Sequence, residues 1–211
     1  MSGNNKEHWE TVYKTREIDT LGWYEETPTP SINLVAKLGL SRHDAILDVG
    51  SGASTLIDHL ADQGYENIFA CDISETALEK LKDRLGEEKA SRITWIVDDI
   101  TCPTKLKSIG EVALWHDRAM LHFLREEEER NAYLATLKSV VKKGGHVIIA
   151  VFSTVGAKKC SGLDLKNYDE KLLADFLGDD FTLVEHFSHI YHMPSGDARP
   201  YVYTLFRRKQ C

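Results

Sequence analysis

The chain has 211 residues, of which 42% are hydrophobic and 28% charged, and its formal net charge is −7. This length suits one domain with a sizeable core, and the acidic balance argues against nucleic acid or an anionic membrane as a partner. Because no apolar run is long enough for a membrane span and the polar N-terminus is unlike a signal peptide, we expect a cytoplasmic protein.

The first thirty residues differ from the rest of the chain. His8, Trp9 and Tyr13 follow one another at roughly helical spacing, and the break at 27–30 precedes a helix that Pro30 opens and Gly39 ends. We therefore expect one domain over 1–211, with an N-terminal lid segment at 1–30 and a core at 31–211.

From residue 45 onward, short apolar segments alternate with amphipathic ones. Strands are predicted at 45–49, 67–71, 92–97, 112–115 and 146–152, and helices at 54–63, 75–85 and 126–142. This alternation is typical of a parallel sheet with helices on both faces, and right-handed crossovers make it doubly wound. After a helix at 169–177, the runs 181–192 and 200–208 are separated by too short a turn for a crossover, so they form an antiparallel hairpin. The prediction is a three-layer α/β fold with seven strands, mostly parallel.

A glycine-containing bend follows the first of these strands. Asp48 ends the apolar run, Gly50 and Gly52 follow, and a helix begins at about Ser54. Glycines are required where a ligand approaches the backbone closely. Nicotinamide-binding loops usually keep the residues before the first glycine apolar, because they bind a pyrophosphate. A carboxylate at Asp48 repels phosphate and suits a cationic ligand such as S-adenosylmethionine.

A second acid ends the next strand. Asp72 lies twenty residues beyond Gly52, where a carboxylate can accept both ribose hydroxyl groups of a nucleotide. The alternative is that Asp72 only caps the following helix, but Ser74 already provides a cap. Asp72 alone does not distinguish S-adenosylmethionine from NAD.

These motifs resemble those of the class I, Rossmann-like methyltransferases that depend on S-adenosylmethionine, over essentially the whole chain. The matching segments are Asp48-Val49-Gly50-Ser51-Gly52, Asp72, the pair Asp98 and Asp99, and Lys143-Gly144-Gly145. Ser54 stands where the family often has glycine, and a small residue there still allows a ligand to come close.

Further segments resemble a subgroup of small methyltransferases, which is similar to citrate-synthase-type lysine methyltransferases and to thiol or tellurite methyltransferases. The segments are His8-Trp9-Glu10 with Tyr13, Trp23-Tyr24, and His116-Asp117-Arg118-Ala119. The resemblance implies that one acid after the third strand accepts a hydrogen bond from the adenine amino group. We choose Asp99, with Ile73 and Ile100 on either side of the adenine, and leave Asp98 as a solvated loop acid.

The end of the fourth strand is expected to border the methyl donor, because open α/β sheets bind ligands at the carboxyl ends of their strands. His116 and Asp117 lie there. Methyl transfer is an in-line displacement and requires a base only for a protonated acceptor, and His116 or His122 could serve. The alternative is that Asp117 and Arg118 orient the loop and that His122 packs in a helix.

Aromatic residues near the N-terminus are predicted to cover the cofactor, because aromatic faces attract a sulfonium. Trp23 and Tyr24 are the better candidates, since they lie between helices. Trp9 and Tyr13 belong to a helix that can also simply pack on the domain.

Three histidines of the C-terminal hairpin do not form a metal site, because residues three apart in a strand face opposite sides; they are His186, His189 and His192.

The leading hypothesis is a methyltransferase acting on a small molecule or a protein side chain, as a monomer or a dimer. An NAD(P)-dependent oxidoreductase is the first alternative, but Thr55 stands where its third glycine would be. The second alternative is a module that binds S-adenosylmethionine without turnover.

The four cysteines lack a CxxC pair, so we expect free thiols and no structural zinc; they are Cys71, Cys102, Cys160 and Cys211.

Overall fold

The computed structural model describes residues 2–210, with side chains from residue 5 onward, so Cys211 lies outside the described residues. The other three cysteines are free thiols. The helices are α1 (Ser2–Thr15), α2 (Thr29–Lys37), α3 (Leu56–Asp62), α4 (Glu75–Ala90), α5 (Glu127–Val140) and α6 (Glu170–Leu177). Within residues 2–210, no helix is long and apolar enough to cross a membrane.

Seven strands form the main sheet, as predicted. They are β1 (Ile46–Val49), β2 (Ile68–Asp72), β3 (Ile93–Val97), β4 (Val112–Arg118), β5 (Val141–Phe152), β6 (Phe181–His192) and β7 (Ala198–Arg208). Their order is β3-β2-β1-β4-β5-β7-β6, in which β1 to β5 are parallel and β7 is antiparallel to both neighbours. A small hairpin, Lys159–Cys160 with Leu163–Asp164, follows β5. The predicted doubly wound sheet with a C-terminal antiparallel pair is confirmed.

Two hydrophobic clusters cover the two faces of the sheet. Leu34 of α2, Leu60 of α3 and Leu81 of α4 belong to one cluster, whereas Tyr133 of α5 and Leu173 of α6 belong to the other. The sheet therefore lies between α2, α3 and α4 on one side and α5 and α6 on the other, which gives three layers.

Several boundaries differ from the prediction, among them those of the helices α3, α4 and α5 and of the strands β4 and β5. α3 begins at Leu56 rather than Ser54, because Ser54 belongs to a turn in which its N–H donates to the Ser51 carbonyl at 2.8 Å. Helix α4 continues to Ala90 beyond the predicted stop, with a kink at Gly86, where φ is +74°. Glycine adopts this conformation without a steric penalty.

Helix α1 docks on the core beside the glycine bend. The Glu10 carboxylate accepts hydrogen bonds from the N–H of Glu75 at 2.7 Å and from the Thr76 hydroxyl, at the start of α4. A carboxylate is favoured there because unpaired N–H groups and the helix dipole meet it. Val12 and Tyr13 form a third cluster with Leu21. The N-terminal segment is thus packed against the strand ends that the sequence marks as the site.

Candidate functional site

Two adjoining cavities lie at the carboxyl ends of β1 to β4. The larger has a volume of about 950 Å³ including its open mouth, and the smaller one of about 540 Å³. Trp23, Gly50 and Arg118 line both. An elongated ligand can therefore extend from one cavity to the other past these three residues.

The glycine bend separates the cavities and requires residues without a side chain. φ is +61° at Gly50 and +52° at Gly52. A Cβ atom at Gly50 would lie 2.6 Å from Met120, and one at Gly52 would lie 2.2 Å from the Tyr13 hydroxyl. Gly50 lines both cavities, whereas Gly52 is covered by Tyr13 and lines neither.

Asp72 lies in the wall of the larger cavity with Ile73. Its carboxylate accepts from the N–H of Gly52 at 2.7 Å and from the N–H of Ser74 at 2.8 Å. Burial raises the pKa of Asp72 to about 6, against these two hydrogen bonds. Ser74 is the N-cap of α4 and accepts from the Ala77 N–H, so Asp72 is not needed as the helix cap.

The two acids after β3 have different surroundings, although both line the larger cavity. Asp98 accepts from the N–H groups of Thr104, Lys105 and Leu106, which fixes the loop. Burial would raise the pKa of Asp98, but these donors outweigh it and lower the pKa. Asp98 is therefore a bonded loop acid, and not the solvated one that we expected.

Asp99 has fewer partners in the same loop. It accepts from the N–H and hydroxyl of Thr101 at 2.9 and 2.7 Å, through one oxygen. Ile100 follows it in the cavity wall. The second carboxylate oxygen of Asp99 can thus accept from a ligand.

His116 and Asp48 form a buried pair. His116 Nδ1 lies 2.6 Å from Asp48 Oδ1, and His116 Nε2 lies 2.9 Å from the Ser31 hydroxyl. Both residues are 2% exposed and line the smaller cavity, not the larger one. With both ring nitrogens engaged, His116 has none left to take a proton from an acceptor. Asp48 Oδ2 is buried beside the smaller cavity without a partner among the described residues.

Asp117 and His122 line neither cavity, in contrast to the expectation that they act on the acceptor. Asp117 accepts from the Leu121 N–H at 3.1 Å and the Tyr133 hydroxyl at 2.9 Å, and burial raises its pKa to about 6. His122 is fully buried, its Nδ1 accepts from the Phe152 N–H at 3.3 Å, and burial lowers its pKa to about 3. These contacts fit the alternative interpretation of the sequence, in which Asp117 orients the loop after β4 and His122 packs in a short helix.

The N-terminal aromatic residues are divided between the cavities. Trp9, Tyr13 and Trp23 line the larger one. Trp9 makes edge contacts with Trp23 and Phe123, with ring centroids 5.5 and 5.0 Å apart, and Trp23 Nε1 donates to the Tyr13 hydroxyl at 3.3 Å. Tyr24 borders only the smaller cavity, as does Ser54. The α1 side chains therefore belong to the cavity wall as fully as Trp23, although the sequence favoured the 23–24 segment.

Arg118 is a site residue that the sequence analysis gave only a loop-orienting role. Its Nε lies 2.8 Å from Glu25 Oε2, its Nη1 donates to the Trp23 carbonyl at 2.9 Å, and its Nη2 is buried without a partner among the described residues. The guanidinium lies 5.1 Å from the ring centroids of both Tyr191 and Tyr201. These rings come from β6 and β7 near the far end of the chain, so local sequence carried no signal for them.

Other wall residues of the larger cavity were also missed. They are Asn5, Cys71, Thr101, Met120, Leu124, Glu129 and Cys160. The signal that could have identified most of them is their position within a few residues of a strand end.

Comparisons with known proteins identify a family. Residues 46–145 match the family model described as a methyltransferase domain. EEF1A lysine methyltransferase 2 of Danio rerio is 31% identical over 156 residues, which cover 68% of this chain and 66% of that protein. The Mus musculus protein of the same name is 27% identical over 68% of this chain and 64% of its own length. The match thus spans slightly less than two thirds of these relatives.

Solved structures agree over nearly the whole chain. A SAM-dependent methyltransferase from Anabaena variabilis has a TM-score of 0.78 at 14% identity and covers 99% of this chain and 95% of its own. The 1,6-didemethyltoxoflavin-N1-methyltransferase of Burkholderia thailandensis has a TM-score of 0.72 at 23% identity, with coverages of 99% and 88%. At these identities the likeness concerns the fold.

The strand order is that of the class I methyltransferase fold. The chain belongs to the family of class I methyltransferases that depend on S-adenosylmethionine. The predicted family is confirmed, and the NAD(P)-dependent alternative is not favoured.

Proposed function

We propose that this protein transfers a methyl group from S-adenosylmethionine to the side-chain amine of a lysine in a protein. When bound, the cofactor supplies a methyl group on a positively charged sulfur, which a nucleophile displaces in line. The fold family and the pair of cavities support cofactor binding. The names of the relatives that are up to 31% identical support a protein lysine as the acceptor.

The smaller cavity suits the amino-acid end of the cofactor, and this observation carries the proposal. An α-amino acid presents an ammonium and a carboxylate. Asp48 Oδ2 is a buried acceptor and Arg118 Nη2 a buried donor, and neither has a protein partner among the described residues. An unpaired buried polar atom is costly, so a ligand that satisfies both atoms is strongly favoured.

The larger cavity suits the adenosine end. Asp72 would accept from the ribose hydroxyls, Asp99 from the adenine amino group, and Ile73 and Ile100 would lie on either side of the base. Gly50 lets the backbone pass close to the ligand where the two cavities meet.

The chain's contribution to the transfer is positioning and the exclusion of water. Trp9, Trp23 and Phe123 pack against one another in the wall of the larger cavity. Aromatic faces attract an alkylammonium group and its apolar stem. None of the three residues His116, Asp117 and His122 is free to take the proton of a lysine ammonium, because each is engaged elsewhere. That proton is therefore lost to solvent before the neutral amine attacks the methyl group and S-adenosylhomocysteine leaves.

Two measurements test this function. Calorimetry with S-adenosylhomocysteine should show binding to the wild type and a loss of at least about tenfold in Asp48→Asn, because a charged partner of the ammonium is removed. Asp44→Asn is the matched control, since Asp44 pairs with Lys142 at 3.0 Å outside both cavities. An absence of binding at millimolar ligand contradicts the proposal.

The acceptor is tested by incubating the protein with isotopically labelled S-adenosylmethionine and fractionated cell extract. Label in methyl-lysine of a protein fraction, located by mass spectrometry, supports a protein acceptor. Label only in low-molecular-weight fractions contradicts it and points to a small-molecule acceptor. Label in neither fraction, together with tight binding of the cofactor, favours a binding module. We further propose that the protein acts in the cytoplasm, which cell fractionation tests.

A further inference from the structure

A chain of buried polar contacts connects the two walls of the smaller cavity. Asp48 Oδ1 meets His116 Nδ1 at 2.6 Å, and His116 Nε2 meets the Ser31 hydroxyl at 2.9 Å. The side chain of Ser31 also interacts with that of Tyr203, whose hydroxyl accepts a hydrogen bond from Arg118 Nε at 3.3 Å. These contacts thus lead from the Asp48 carboxylate of β1 to the Arg118 guanidinium of β4.

The three connecting residues come from three elements and are all shielded from water. Ser31 lies in α2 and is 0% exposed, His116 lies in β4 and is 2% exposed, and Tyr203 lies in β7 and is 0% exposed. Each polar side-chain atom of these three residues has a hydrogen-bond partner. Buried hydrogen bonds of this kind are strong and specify geometry, because the alternative is an unsatisfied polar group.

The two unpaired atoms described above, Asp48 Oδ2 and Arg118 Nη2, belong to the residues at the two ends of this series of contacts. Because His116 occupies Asp48 Oδ1, the other oxygen is the one left beside the cavity. Because Arg118 Nε donates to the Tyr203 hydroxyl and Nη1 donates to the Trp23 carbonyl, Nη2 is the guanidinium nitrogen without a hydrogen-bond partner. The contacts therefore decide which atom of each charged group is available to a ligand.

We propose that His116, Ser31 and Tyr203 are positioning residues that hold the carboxylate of Asp48 and the guanidinium of Arg118 for recognition of the cofactor's amino-acid end. This inference rests on the proposed function. It assigns His116 a role through Asp48 in place of proton transfer, and it makes the antiparallel strand β7 a part of cofactor recognition.

The proposal predicts a loss of affinity only for a ligand that contains the amino-acid end. S-adenosylhomocysteine has the amino-acid end, whereas 5′-methylthioadenosine has the same adenosine without it. We expect Tyr203→Phe and Ser31→Ala each to weaken binding of S-adenosylhomocysteine by about tenfold, as expected for a hydrogen bond to a charged group. Binding of 5′-methylthioadenosine should change by less than about twofold.

Thr204→Val is the matched control. Thr204 is the next residue of β7, is equally buried, and donates its hydroxyl to the Ile149 carbonyl at 3.0 Å outside this chain of contacts. It should leave the ratio of the two affinities unchanged. Calorimetry gives both affinities, and circular dichroism verifies that each variant is folded.

Two substitutions of His116 separate its two contacts. The amide nitrogen of Asn reaches the position of Nδ1 and keeps the contact with Asp48, whereas the longer Gln reaches the position of Nε2 and keeps Ser31. His116→Gln should therefore lose more affinity for S-adenosylhomocysteine than His116→Asn, again without a matching loss for 5′-methylthioadenosine.

Equal losses for the two ligands, or no loss in Tyr203→Phe and Ser31→Ala, would overturn the inference. A wild-type protein that binds neither ligand contradicts the proposed function itself. A wild type that binds S-adenosylhomocysteine, with variants that do not discriminate between the ligands, contradicts only the role of His116, Ser31 and Tyr203.

Discussion

Asp72 offers a prediction in which affinity falls while stability changes little. Its pKa is raised by burial to about 6 from an ordinary 3.8. At neutral pH, holding this carboxyl ionised in the free protein costs on the order of 3 kcal/mol, because each pKa unit corresponds to about 1.4 kcal/mol. For an acid with a raised pKa, this cost is present above pH 6 and is relieved as the pH falls through 6 toward 3.8.

The substitution Asp72→Asn removes this cost and also removes the charged acceptor for the ribose. We expect the Tm of the free protein to change little, because relief of the ionisation cost is offset where the amide NH₂ faces the N–H of Gly52 or of Ser74. Affinity for S-adenosylhomocysteine should fall by about a hundredfold or more, because two hydrogen bonds to a charged group contribute roughly 1.5 kcal/mol or more each.

The wild type should show the same dependence as the pH is lowered. If the ligand requires ionised Asp72, its Kd rises about twofold at pH 6 and about tenfold at pH 5 relative to neutral pH, and Asp72→Asn shows no such rise. Calorimetry between pH 5 and 7 and thermal unfolding measure the two effects, with Asp62→Asn on the surface as the control. A flat affinity in the wild type across this range, or a variant that is destabilised and still binds, would refute the reasoning.

Four further substitutions test other parts of the site. Gly52→Ala places a Cβ atom 2.2 Å from the Tyr13 hydroxyl at a φ of +52°, so it should lower ligand affinity by about tenfold or more and stability by about 1–2 kcal/mol, as calorimetry and urea unfolding would show. Asp98→Asn should lower stability by about 2 kcal/mol through lost hydrogen bonds to backbone N–H groups, whereas Asp99→Asn should lower affinity with little change in Tm; the reverse result would exchange their roles. His122→Gln should change kcat by less than about twofold while destabilising the fold by about 1–2 kcal/mol, and a loss of kcat at unchanged stability would restore its catalytic role.

The architecture was predictable because it follows from short-range patterns. The alternation of apolar strands with amphipathic helices specifies a covered parallel sheet, and the short turn between 192 and 198 specifies the hairpin. Asp72 and Gly50, which the sequence predicted to bind the cofactor, line the larger cavity. Their positions depend only on strand ends meeting at one edge of the sheet.

The surroundings of two predicted catalytic residues are set by the face of the strand that each occupies. His116 and Asp117 are neighbours in β4, and consecutive side chains of a strand point to opposite faces. His116 faces α2 and contacts Ser31, and Asp117 faces α5 and contacts Tyr133. The alternation alone indicates that the two cannot share a role at one atom of the substrate.

Contacts between distant parts of the chain could not be read from local sequence. Arg118 lies between rings contributed by β6 and β7, more than seventy residues later in the sequence. Such contacts form only when both halves of the sheet are assembled, and one sequence contains no record of which residues meet.

The position of β7 between β5 and β6 has a consequence for biosynthesis. Strand β7 is the last strand of the sheet to leave the ribosome, and it pairs with β5 over the segment from His146 to Phe152, which is buried from Val147 onward. Until then, the nascent chain presents β5 as an open, apolar edge, which is a template for pairing with other chains. Chaperones that shield such edges are therefore expected to matter for this protein during translation, and truncation before Ala198 should give aggregates instead of a smaller folded domain.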